Sequence, residues 1–184
     1  MPFKDDLLAR FRWIDGHADI IGLLADGEIL AGAVKRLAEP FESERVTKVG
    51  AVEARGLILG AGVALVLGVG LVAIRKPGSI HPGAKVVRVT SPDWRGQESI
   101  LRVQRSTLSE DDSVLLVDDW AETGSQALAS RSLIEDCGAS YAGLSLLVDQ
   151  LQDDVRTALA PVHAVVRADE LPPHTLAIPD GLRL

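Results

Sequence analysis

Residues 113–126 read SVLLVDDWAETGSQ. Val114, Leu115, Leu116 and Val117 form a continuous apolar run, the mark of a strand covered on both faces of a parallel sheet. Asp118 and Asp119 follow at its carboxyl end, and Thr123-Gly124-Ser125-Gln126 then opens a predicted helix running to about Cys137. Ligands of open α/β sheets collect beyond the carboxyl ends of strands, and the free amides of a helix start attract anions. Gly124 lets the backbone approach phosphate oxygens without a Cβ in the way. Two adjacent carboxylates can hold ribose hydroxyls directly or a hard cation through water. Helix capping by the hydroxyls and a solvated Asp-Asp turn are the plainer reading of the same residues. The ordered combination of strand, acid pair and hydroxyl-glycine turn favours a phosphate site.

Working outward, the 184 residues, 47% of them hydrophobic, suffice for one substantial core, and no repeat or low-complexity linker divides them. A single domain over 1–184 is expected. The net charge of −7 and pI near 5.1 supply no cationic footprint for nucleic acid. Small anionic substrates answer to local charge and stay open. Cys137 stands alone, so no internal disulfide forms, and the amino end shows no charged-then-apolar pattern of the kind expected of a signal sequence. A cytoplasmic setting and a buried, inert thiol are the expectations.

Residues 1–44 carry helical periodicity around Lys4–Arg12 and again from Glu28 to Phe41, with a loop or short strand over 17–24 between them. Arg45–Val52 reads as a first strand. The 19 residues from Gly56 to Ile74 hold no charge, long enough for a transmembrane helix, and Gly56 and Gly60 have the spacing of a membrane dimer face. Gly68-Val69-Gly70 interrupts the run, however, and predicts a helix over 57–67, a turn, and a buried strand over 70–74. Leu65 occupies the third glycine place of a dinucleotide fingerprint and no Gly-Lys-Ser/Thr follows, so both common nucleotide loops are rejected. Arg75 and Lys76 end the second strand. Residues 84–104 alternate around a polar centre and predict a hairpin able to fold over a site, with Trp94 at its tip. A strand at 141–148, a helix at 153–159, a strand at 162–166 and an irregular tail over 171–184 complete an α/β core spanning 45–170. The order predicts a mostly parallel twisted sheet flanked by helices.

The strand, acid pair and turn resemble the phosphoribosyl-pyrophosphate motif of type I phosphoribosyltransferases. The stretch VTKVGAVEARGLILGAGVALVLGVGLVAIRKPG, residues 46–78, looks like the corresponding part of adenine phosphoribosyltransferases at its EARG, LGVG and RKPG turns. DIIGLLAD, residues 19–26, is similar to the segment of that family that covers the base. The resemblance implies a type I phosphoribosyltransferase fold with a hairpin lid and an amino-terminal hood. It implies Mg²⁺-dependent transfer of a phosphoribosyl group from phosphoribosyl pyrophosphate to a purine, adenine first, in purine salvage, by a homodimer. Arg55, Arg75 and Lys76 would meet the pyrophosphate. Asp118 and Asp119 would hold the ribose hydroxyls and a Mg²⁺-bound water, with no residue ligating the metal directly. Ala121, Thr123, Gly124, Ser125 and Gln126 would wrap the 5′-phosphate.

Several positions depart from the family pattern. Glu122 replaces a small residue, and is either a general acid or base at the nucleobase or a carboxylate favouring the helix N-terminus. Ser125 and Gln126 replace a glycine and a threonine, Ser79 replaces the second lysine of the RKPG corner, and Ala18 replaces an arginine before the DI pair, with His17 beside it. Trp120 replaces an aliphatic residue and is either a stacking surface for a base or a packing residue. Transfer to another base, and a regulator that binds phosphoribosyl pyrophosphate without turnover, are the competing readings; regulators of that kind carry a DNA-binding module or basic face, and neither is visible here.

Overall fold

The computed structural model describes residues 3–78, 82–93 and 95–173. The readings of Ser79 and Trp94, and the tail beyond Pro173, fall outside the described residues. The hood is built from α1 (Phe3–Arg10), the two-residue strands β1 (Trp13–Ile14) and β2 (His17–Ala18), α2 (Ile20–Leu24) and α3 (Gly27–Ala38). The segment expected as a loop or short strand over 17–24 is strand over 17–18 and helix over 20–24. Asp19 is the reason, because its carboxylate accepts from Gly22 N at 2.9 Å and caps α2.

The core follows as β3 (Lys48–Val52), α4 (Arg55–Leu67), β4 (Gly70–Ile74), β5 (Lys85–Val89), β6 (Ile100–Gln104), β7 (Ser113–Ala121), α5 (Ser125–Asp136), β8 (Ser140–Asp149), α6 (Asp153–Ala158) and β9 (Val162–Arg167). Five strands form one parallel sheet in the order β4-β3-β7-β8-β9. The uncharged 56–74 stretch divides as its glycines predict. Gly68 closes α4 in the left-handed conformation at φ 68°, and the following strand pairs with β3. Among the described residues no helix is long and apolar enough to cross a membrane.

Alternation along β7 distributes its apolar run between two layers. Leu115 and Val117 join the core under α3 and α4, whereas Val114 and Leu116 join the core under α5. Helix α4 lies close on β3 because Gly60 has no side chain; a Cβ there would come within 2.5 Å of that of Ala51. The 84–104 hairpin forms as an antiparallel ribbon, β5 with β6, outside the main sheet. The ribbon is tied to α5 by a two-pronged Arg88–Asp136 pair at 2.5 and 2.6 Å. The chain leaves β3 toward β4 on one side and returns as β7 on the other. The crevice where strand order reverses thus lies beyond the carboxyl ends of β3 and β7.

Candidate active site

A cleft of about 480 Å³ opens at that crevice. The chain from Trp120 to Ala127 lines it without a break, facing Arg55 and Asp118 on one side and Trp13, His17 and Ala18 of the hood on another. Asp93 and Arg95 at the ribbon tip close a third side.

The turn between β7 and α5 is shaped by one residue. Gly124 adopts φ 69°, and a Cβ on it would stand 2.5 Å from Val155 and 2.9 Å from Leu151. Conformation and packing both demand glycine at this point. Ser125 N leans on Thr123 Oγ1 at 3.4 Å, whereas Gln126 and Ala127, in the first turn of α5, have no intrahelical acceptor for their amides. These donors border the cleft and present partial positive charge to it.

Strand β7 extends further than its apolar run, to Ala121, so Asp118 and Asp119 lie within its last turn of pleat and point to opposite faces. Asp118 lines the cleft; its Oδ1 takes the amide of Asp119 at 2.9 Å and leaves no room for a side chain at Gly56, where a Cβ would approach to 2.6 Å. Asp119 is buried behind the wall, and its Oδ2 meets Arg55 Nε at 2.8 Å. Burial and the charge of Asp119 push the Asp118 carboxyl well above its usual range. Burial likewise raises Asp119, against the opposing pull of Arg55 and Lys76. Glu122 also titrates above an ordinary glutamate, through burial and then the charge of Asp93.

Arg75 and Lys76 sit apart from the cleft lining. Glu53, which sequence reasoning passed over, holds them at the neighbouring strand end. Its carboxylate takes Arg75 Nε at 3.0 Å and Lys76 N at 2.6 Å. The separation along the chain hides this partnership, and only the parallel register of β3 with β4 reveals it. The expected cations are therefore gathered along one edge, with Arg55 and Arg75 each countered by a carboxylate.

The far end of the cleft is aromatic. Trp13 meets Phe11 edge-on at 5.3 Å and Trp120 at 6.2 Å between ring centroids. Trp13 was not singled out in the sequence; a tryptophan followed by a tight Asp-Gly turn in the hood is the signal that was available. Gln150, likewise unforeseen, accepts from Trp120 Nε1 at 2.9 Å.

Among the described residues no cluster of three or more metal-ligating side chains exists. Asp118 facing the cleft, with Asp119 behind it, suits Mg²⁺, which takes one or two carboxylates and completes its shell with water and substrate phosphate oxygens.

No family model matches the chain. It is 38% identical over 169 residues to an adenine phosphoribosyltransferase of Streptomyces clavuligerus, covering 88% of this chain and 93% of that one. Among solved structures it is similar to the adenine phosphoribosyltransferase of Rhodothermus marinus, with TM-score 0.79, 28% identity and coverage of 90% and 98% of the two chains. The Giardia lamblia enzyme complexed with 9-deazaadenine gives TM-score 0.79 and 28% identity over 89% of this chain and 97% of that one.

Proposed function

We propose, from the premise that this chain belongs to the adenine phosphoribosyltransferase family, how its cleft performs the reaction. The enzyme transfers a phosphoribosyl group from phosphoribosyl pyrophosphate to adenine, giving the nucleoside monophosphate and pyrophosphate in purine salvage. A base nitrogen forms a bond to C1′ while the C1′ bond to the pyrophosphate oxygen breaks, and positive charge develops on the ribose. The site must oppose that charge and receive the departing anion.

The observation that carries this reading is the continuous lining from Trp120 to Ala127, with left-handed Gly124 at its centre and Asp118 and Arg55 across from it. The amides of Gln126 and Ala127, with the hydroxyls of Thr123 and Ser125, hold the 5′-phosphate. Asp118 takes the ribose hydroxyls and stands near the developing charge. Arg55 turns from Asp119 to the pyrophosphate, supported by Arg75 and Lys76 from the adjoining strand end. Asp118 and Asp119 would hold Mg²⁺ through water, and the ion would supply neutralising charge to the pyrophosphate. The base lies against Trp120 under the hood, where the Glu122 carboxylate takes the proton that the attacking ring nitrogen loses, its raised basicity being suited to that task. The ribbon tip keeps water away from the activated sugar. A product assay with phosphoribosyl pyrophosphate, Mg²⁺ and a panel of bases tests this. Turnover is expected with adenine, and Glu122→Ala should alter base dependence more than phosphoribosyl-pyrophosphate affinity. Binding without turnover of any base would make the protein a regulator instead.

Pairing of two copies is part of the proposal. Ile58, Leu65 and Val66 on α4 and Leu71 on β4 are exposed, Leu65 by 84%, within a stretch that carries no charge. An apolar face of this kind is self-complementary about a two-fold axis and needs no partner of matching charge. Sedimentation should show a dimer that Leu65→Glu dissociates; a wild-type monomer at micromolar concentration would refute the pairing. A cytoplasmic setting fits the unpaired, buried Cys137.

A further inference from the structure

Gln150 follows β8 directly, and its amide donates to Ala121 O at 2.9 Å, carrying the β7–β8 ladder to the edge of the cleft. Its side chain is exposed and lines the cleft beside Trp120. The indole N–H of Trp120 can only donate, so the end of the amide that faces it is determined. The carbonyl oxygen of Gln150 takes the indole hydrogen, and the two hydrogens on Nε2 are directed elsewhere. No acceptor for them occurs among the described residues.

The residue is also held in place from behind. Asp149, 1% exposed, accepts from Leu151 N at 2.8 Å and pairs with Arg156 of α6. Gln150 thus stands between a ladder hydrogen bond and an anchored carboxylate, which fixes the base of its side chain. Trp13 packs edge-on against the Trp120 ring at 6.2 Å between centroids. A flat base laid on Trp120 therefore meets an oriented amide donor at the indole N–H edge.

We infer that Gln150 determines base specificity, its Nε2 donating to a ring-nitrogen acceptor of the purine stacked on Trp120. The inference rests on the proposed placement of the base. Adenine presents such acceptors at N1, N3 and N7, and a site that supplies a donor discriminates against an analogue lacking the acceptor. At this solvent-accessible position the expected discrimination is about tenfold.

The test compares adenine with 1-, 3- and 7-deazaadenine, each lacking one ring nitrogen, in wild type and Gln150→Leu. Both kcat/KM and equilibrium binding of each base in the presence of phosphoribosyl pyrophosphate are measured. One of the three wild-type penalties should fall toward unity in Gln150→Leu while the others persist, with KM for phosphoribosyl pyrophosphate unchanged. A uniform loss across all four bases would overturn the inference and reduce Gln150 to a support for Trp120, and unchanged penalties would overturn it also. The binding arm decides the role of Gln150 even without turnover, whereas absent turnover of adenine by wild type bears on the reaction alone.

Discussion

The two ends of β7 place the same chemical group in opposite circumstances. At the amino end, Asp112 is buried, which alone would raise its carboxyl. Donors from Lys48 at 2.9 Å, Ser109 at 2.8 and 3.0 Å, and Thr47 at 3.0 Å outweigh burial and bring it down to about 2. At the carboxyl end, burial pushes both Asp118 and Asp119 up, and Asp118 rises further because it faces the charge of Asp119. The satisfied acid contributes stability that is present above the unfolded carboxylate range and is lost as pH falls through about 2. The raised pair does the reverse, its contribution fading as pH rises through the raised values. Asp112 is saturated with donors, whereas the pair at the cleft is kept short of them.

That contrast is open to attack at three positions. Asp119→Asn should lower turnover with every base by roughly 10²–10³-fold, because it removes the charge that organises Arg55 and the ribose end. Its melting temperature at neutral pH should hold or rise; a variant that melted lower yet kept turnover would abolish the distinction. Gly124→Ala should weaken phosphoribosyl-pyrophosphate binding by about 10²-fold in calorimetry, since the turn must leave its left-handed conformation or collide with Val155. Asp112→Asn should cost about 2 kcal/mol of unfolding free energy at pH 7 and almost nothing near pH 2, with turnover unchanged. Urea titrations at the two pH values, run beside the assay, measure both halves of that statement.

Much of the frame was legible because its signals are local. The apolar run of β7, the hydroxyl-glycine turn and the division of 56–74 at Gly68 each follow from a few neighbouring residues. The hood was harder. Asp19 starts a helix too short for periodicity to expose, and its capping bond is the only sign. The end of β7 was misjudged for a related reason: two carboxylates look like a terminus, yet the ladder to β8 continues past them to Ala121. Partnerships across the sheet were invisible, since the links of Arg75 to Glu53 and Trp120 to Gln150 depend on strand register. Of the expected phosphate and ribose contacts, the cleft assembles Arg55, Asp118 and the whole turn, and leaves Arg75 and Lys76 at its margin.

The hood is moored to the segment after β9 by Trp13 Nε1 on Pro172 O at 2.8 Å and by Lys4 on Glu170 at 2.5 Å. A roof fastened on that side does not swing there. Asp93 and Arg95, at the ribbon tip, border a different side of the cleft, and we propose that base and nucleotide pass there.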